Sequence, residues 1–173
     1  MKRLLKTIAI TLIISIFCSF NVFALNHYNP NDYTSVDINS ELLSEIVKSS
    51  SVHETSKRRG NFFAGADLII KNNDNGNVGV FAKAYMDVPV QEAYITIYLD
   101  RWDEEADRWR QVRYYDAEFY EKDYPEGIIE PAIDIEFKNL EKGYYYRARG
   151  VFAAIYNDNF EGFSPTTDGI LIK

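Results

Sequence analysis

Strict alternation of apolar and polar residues is the feature that most narrows what this chain can fold into. Ile133-Asp134-Ile135-Glu136-Phe137-Lys138 alternates without a fault. A period of two places every second side chain on one face of a strand. Ala93, Ile95, Ile97 and Leu99 alternate in the same way with Tyr94, Thr96, Tyr98 and Asp100, and Val78, Val80, Ala82, Ala84 and Met86 mark another run. Before that run lies Asn72-Asn73-Asp74-Asn75-Gly76-Asn77, whose Asn-Gly pair suits a tight hairpin turn. The pattern predicts seven strands, near residues 64–71, 77–87, 92–102, 108–120, 131–138, 143–156 and 167–172. Short strands at this spacing, with no long helical period between them, form an all-β antiparallel sandwich. Along the fourth strand Trp109, Val112, Tyr114, Tyr115 and Phe119 fit neither face consistently. That misfit predicts a bulge or an edge position.

The chain before Gly60 reads differently. Lys2, Arg3 and Lys6 precede an almost unbroken apolar run from Ile8 to Phe17, and Val22-Phe23-Ala24 presents small side chains where a signal peptidase reads them. These parts predict a secretory signal peptide over residues 1–24, cleaved after Ala24, and hence a secreted, extracellular protein. The apolar run is too short to span a bilayer stably, so no lasting membrane insertion is expected after the signal is removed. Residues 25–59, rich in Asn, Ser, Asp and Thr, read as a polar linker or pro-segment ahead of a domain over residues 60–173. Within it Leu42, Leu43, Ile46 and Val47 recur at spacings of three and four, which predicts a short helix over Ser40–Lys48. Its cap at Asn39 is only half formed, with Leu42 where a capping box wants Glu. So polar a segment contributes little burial, and residues 60–173 are expected to fold without it. It ends at Lys57-Arg58-Arg59, either a solvated basic stretch or a processing site.

The only cysteine, Cys18, lies within the signal behind the bulky Phe17, where a lipoprotein signal requires a small residue. The remainder therefore has no disulfide, thiolate metal site or cysteine nucleophile, as suits an exporter such as a Gram-positive bacterium. The chain carries 19 basic against 26 acidic residues, and three of the basic ones are in the signal. An acidic surface of this kind repels nucleic acid and anionic lipid, so neither is expected as a partner. Plain solubility is enough to account for it.

Chemistry is sparse. Both histidines, His27 and His53, fall in the polar segment, so neither a Ser–His–Asp triad nor a histidine metal site is expected in the sandwich. Acidic neighbours such as Asp103-Glu104-Glu105, or Glu118 with Glu121, read as solvated loops; a glycan-active enzyme using an acidic pair is the least favoured reading. The Asn-rich turn is no calcium loop: with Gly76 as its sixth residue, Lys71 and Ala82 stand where oxygen ligands are required. No catalytic residue, metal or cofactor is assigned. What remains is an aromatic excess, with 13 Tyr and 2 Trp. Tyr94, Tyr98, Trp102, Trp109, Tyr145 and Arg147 are the candidate binding residues, because rigid aromatics and arginine suit recognition surfaces. Cross-strand pairing of these rings is the competing structural reading. The expected function is a non-enzymatic interaction module for an unknown protein or polysaccharide ligand. The alternative is a carbohydrate-binding module using surface Tyr and Trp.

The run Leu140-Glu141-Lys142-Gly143-Tyr144-Tyr145-Tyr146-Arg147-Ala148-Arg149-Gly150 resembles the E–F corner and F strand of fibronectin type III domains. Leu140, Gly143 and Tyr146 stand where those domains carry a Leu, a Gly and a buried Tyr whose hydroxyl bonds back to the backbone. Glu161-Gly162-Phe163-Ser164-Pro165 is similar to their turn into the last strand. The resemblance implies a seven-stranded immunoglobulin or fibronectin type III-like sandwich. The chain also resembles small secreted proteins of clostridium-like Gram-positive bacteria that form a domain of unknown function. The shared features are Arg59-Gly60-Asn61, Gly143-Tyr144-Tyr145-Tyr146-Arg147 and an ending like Thr167-Asp168-Gly169-Ile170, across about residues 59–173.

Overall fold

The computed structural model describes residues 28–55 and 62–173. The expected signal and its cleavage site, His27, the basic triplet Lys57-Arg58-Arg59 and the Arg59-Gly60-Asn61 feature lie outside the described residues. The strands are β1 (Ser49–Thr55), β2 (Phe63–Asn72), β3 (Val78–Met86), β4 (Glu92–Asp103), β5 (Arg108–Tyr120), β6 (Ala132–Phe137), β7 (Tyr144–Tyr156), β8 (Asn159–Phe163) and β9 (Ile170–Ile172). They form two antiparallel sheets, one ordered β1-β2-β3-β6 and the other β5-β4-β7-β8, with β9 pairing to the first residues of β7. Among the described residues the only helical pieces are two 3-10 turns, and no helix is long and apolar enough to cross a membrane.

The period-two pattern sets the core between the sheets. Leu68 and Ile70 of β2, Val80 and Ala82 of β3, Ile95, Ile97 and Leu99 of β4, and Ala148 and Phe152 of β7 point inward and are buried. Each large apolar side chain so buried contributes about 1.5–3 kcal/mol. The turn from β2 to β3 runs through Asp74, Asn75 and Gly76 at φ of 64°, 54° and 77°. Asn and Asp tolerate that left-handed region, and Gly76 sits where a Cβ would come within 2.8 Å of the Leu140 carbonyl.

β5 is an edge strand, and its register slips by one residue. Leu99 pairs with Arg113 but Asp100 pairs with Gln111, which leaves Val112 over. Trp109 and Gln111 therefore face outward before the bulge, and Tyr114, Asp116, Glu118 and Tyr120 face outward after it. This phase change is why the aromatic pattern fits neither face.

Three expectations are corrected. The described residues form nine strands rather than seven, β1 and β8 being the additional ones. The polar segment is not a simple linker, since it carries edge strand β1, paired with β2 from Ser49↔Lys71 to Thr55↔Gly65, with Val52 packed on the core. The sandwich thereby gains a histidine, His53. The helix over Ser40–Lys48 does not form. Glu41–Leu43 instead runs beside the chain end, with Gly169 N donating to Glu41 O at 2.8 Å, Leu43 N donating to Gly169 O at 2.9 Å, and Ser40 Oγ donating to Thr167 O. A nine-residue helix with half a cap gains too little to compete with such tertiary bonds. Ile46, placed on its expected buried face, is 86% exposed.

At the corner into β7, Tyr146 is 2% exposed and its hydroxyl donates to Glu141 O at 2.9 Å. Gly143 stands at φ 87°, and its N–H donates to Ile172 O at 2.7 Å, while the Leu140 N–H donates to Gly76 O. Tyr146→Phe is expected to cost about 1 kcal/mol, since the freed carbonyl belongs to a surface residue and can turn to water. Chemical denaturation beside Tyr145→Phe, on the opposite face, checks it; an equal loss from both would mean the corner bond adds nothing.

Candidate functional site

The outer face of the β5-β4-β7 sheet is not open. Residues 28–43 cross it as a strap. A 3-10 turn over Pro30–Asp32 starts the strap, with Asn29 Oδ1 accepting from Asn31 N. Tyr98 Oη donates to Asn31 Oδ1 at 2.8 Å, Ser164 Oγ donates to Tyr33 O at 2.9 Å, and Glu41 N donates to Asp168 Oδ1 at 2.9 Å. Its bonds come from both sheet side chains and the C-terminal run.

Beneath the strap lies a charged cluster. Asp100 of β4 faces Arg147 and Arg149 of the adjacent β7, and all three are almost wholly buried. Arg149 grips the carboxylate with two bonds, Nε to Oδ2 at 2.6 Å and Nη2 to Oδ1 at 3.1 Å, and Arg147 Nε adds a third at 3.1 Å. Arg149 Nη2 also donates to Gln111 Oε1 at 3.2 Å, and the other donors turn to the strap: Arg147 donates to Ile38 O and, at 2.7 Å, to Val36 O, and Arg149 Nη1 donates to Thr34 Oγ1 at 3.3 Å. Arg147 lies 4.5 Å over the Trp109 ring and Arg149 lies 4.8 Å over Tyr98. Burial lowers the Arg147 pKa, and Asp100 opposes that shift. Two cations share one anion here, so the strap carbonyls complete what Asp100 alone cannot.

This corrects the expected binding surface. Tyr98, Trp109 and Arg147 do face away from the core but are buried, Tyr98 and Arg147 by bonding to the strap and Trp109 by packing against Gly169, Arg147 and Trp102. Trp102 packs edge-on against Trp109 with ring centres 5.3 Å apart, and Tyr145 stays partly exposed near the sheet end. Tyr94 takes part in a surface recess.

That recess is a cleft of about 320 Å³ between the start of the strap and the outer face of β4 and β5. Tyr28, Asn29 and Pro30 line it from the strap, and Tyr94, Thr96, Asp116, Ala117, Glu118 and Tyr120 line it from the sheet. Tyr28 stacks on Tyr94 at 4.8 Å, and Tyr94 meets Tyr120 edge-on at 6.2 Å. The aromatic wall continues outward through Tyr33 and Phe160, stacked at 5.1 Å and 45% and 42% exposed. Tyr94 Oη donates to Glu92, and Tyr120 Oη donates to Glu118 at 2.5 Å. Burial first, then the Glu92 carboxylate, pushes the Tyr94 pKa up; burial likewise raises Tyr28, whose hydroxyl sits beside Thr96. The Tyr120 pKa is also raised, chiefly by the bond to Glu118. These phenols stay protonated at neutral pH, and those of Tyr94 and Tyr120 are already spent as donors.

A second cluster lies on the outer face of the other sheet. His53 of β1 pairs directly with Asp67 of β2, Nδ1 to Oδ1 at 2.5 Å, and Tyr85 Oη donates to the second Asp67 oxygen. Burial acts to raise the Asp67 pKa, but the bonds from Tyr85 and His53 outweigh it and hold the carboxyl below its ordinary range. This dyad sits on an open strand face with the imidazole 57% exposed, where solvent weakens any electrostatic work it could do. Among the described residues no three His, Asp or Glu side chains converge as a metal site.

Comparison with known protein families, with curated proteins and with solved structures found no match to this chain.

Proposed function

We propose that this protein is a secreted, non-enzymatic β-sandwich interaction module and that the strap–β5 cleft is where it engages its ligand. The observation that carries this reading is the cleft itself, an aromatic-walled recess with a continuous rim of half-exposed rings. Rigid rings lose little freedom on binding, which favours them at recognition surfaces. Export is supported by the basic start, apolar run and small-residue site of the first 24 residues.

The finer fold reading is a fibronectin type III-like sandwich. Its supports are the Tyr146 corner bond and the placing of β2-β3-β6 against β5-β4-β7-β8. The resemblance to secreted clostridium-like proteins is consistent with this address and adds no activity.

A carbohydrate-binding module is the second reading, favoured by the stacked Tyr33 and Phe160, whose open faces suit a sugar ring. Retention of the purified protein on insoluble cell-wall and plant polysaccharides, and on immobilised proteins from culture fluid, tests both. Retention that is lost in Tyr28→Ala supports the cleft as the site. Retention untouched by Tyr28→Ala removes the cleft from the reading, and glycan hydrolysis lost in Asp116→Asn would make the protein an enzyme.

A further inference from the structure

Resting on the reading of the cleft as a binding site, we propose that its ligand is a basic side chain of a partner protein, a lysine ammonium or an arginine guanidinium. The first ground is a count of donors and acceptors. The Tyr94 and Tyr120 protons are committed to Glu92 and Glu118, so apart from the Thr96 hydroxyl the side chains of the sheet wall offer a ligand lone pairs and ring faces. A lysine ammonium is donor-only, and so is a guanidinium.

The second ground is the walls. Tyr28, Tyr94 and Tyr120 present π-faces or edges around the recess, and ring faces attract cations. The fold already shows this at the cleft's edge, where Lys122 Nζ lies 5.2 Å over the Tyr120 ring. Among the described residues no Lys, Arg or His lines the cleft, and Lys122 covers only one face of Tyr120 from its edge. The third ground is charge: Asp116 and Glu118 stand in the cleft, Glu92 stands behind Tyr94, and the whole chain is acidic at −7. An acidic protein steers basic partners and repels acidic ones. A volume near 320 Å³ suits one long side chain rather than an extended chain. The alkyl stem would lie along the rings while its head meets the carboxylates.

The test uses the full protein and three capped pentapeptides of glycine around one central residue: lysine, arginine or Nε-acetyl-lysine. NMR follows the ring signals of Tyr28, Tyr94 and Tyr120 during titration. The lysine and arginine peptides are expected to shift these signals saturably, with binding weakened by salt. Acetylation is expected to weaken it about tenfold, as are Asp116→Asn and Glu118→Gln, which keep shape and alter exposed side chains, with an unchanged thermal melting midpoint as the check on folding. Equal binding of the acetylated peptide, or unchanged affinity in both carboxamide variants, would overturn the basic-ligand inference. If a neutral glycan shifts the same rings, the cleft remains the binding site and only the ligand class falls. If no probe moves them while partner retention survives Tyr28→Ala, the cleft reading falls as well.

Discussion

Asp100→Asn is expected to destabilise the protein by about 3–5 kcal/mol, the usual cost of removing one partner from a buried charge group. The substitution keeps the shape but removes the carboxylate that, alone among the described residues, bonds to Arg147 and Arg149. Both guanidiniums stay charged, because arginine does not give up its proton in a folded protein. Two buried like charges would then face each other across one amide. A domain of this size has about 5–15 kcal/mol in total, so the loss is a large share of it. Replacing all three residues with apolar ones of similar volume is expected to recover much of the loss, since buried ion groups seldom outperform good packing. Recovery should be incomplete, because Val36 O, Ile38 O and Thr34 Oγ1 would lose their donors. Urea denaturation of the single and triple variants measures both effects. A loss under about 1 kcal/mol in the single variant, the scale of an exposed pair, would mean that water reaches the cluster.

The seven expected strands were legible because a half-buried strand writes its two faces into the sequence at a period of two. The two others were not. β1 reads Ser-Ser-Ser-Val-His-Glu-Thr and turns only Val52 toward the core as a large apolar side chain, so no pattern announces it. β8 had a signal that went unused: Asn157 and Asp158 form a two-residue turn at φ 49° and 62°, a hairpin geometry those residue types favour. The strap left no pattern because it holds Arg147 through the backbone carbonyls of Val36 and Ile38, and every residue has one. Hence Tyr94 was legible as a surface aromatic, whereas the burial of Tyr98, Trp109 and Arg147 was not. Asp116, Glu118 and Tyr120 share the Tyr94 face by simple alternation, once the one-residue slip at Val112 is allowed for. Tyr28, which lines the cleft from the opposite side, arrives from the strap and has no such cue.

Residues 62–173 alone are expected to lose the cooperative unfolding of the whole protein, against the sequence-based expectation that the polar segment is dispensable. Without residues 28–55 the Tyr98 ring and the Arg147 and Arg149 guanidiniums, now buried and bonded to Asn31, Val36, Ile38 and Thr34, face water on their outer side. Such a ring buries roughly 150–250 Å², so uncovering half of it forfeits on the order of 2 kcal/mol. Val52 leaves the core and β2 becomes an open edge along its pairing with β1. A segment held in one place makes contacts that outweigh the entropy of ordering it, and its removal forfeits that surplus. A shorter deletion, residues 28–39, separates the strap from β1. It is expected to lower the midpoint of thermal unfolding while keeping a single transition, because the sheet pairing remains. Thermal unfolding followed by near-UV circular dichroism would register both, since the Tyr98 ring is bonded directly to the strap. An unchanged midpoint in the shorter deletion would mean that the strap rests on the sheet without stabilising it. The Arg147 and Arg149 donors would then be served as well by water as by Val36, Ile38 and Thr34.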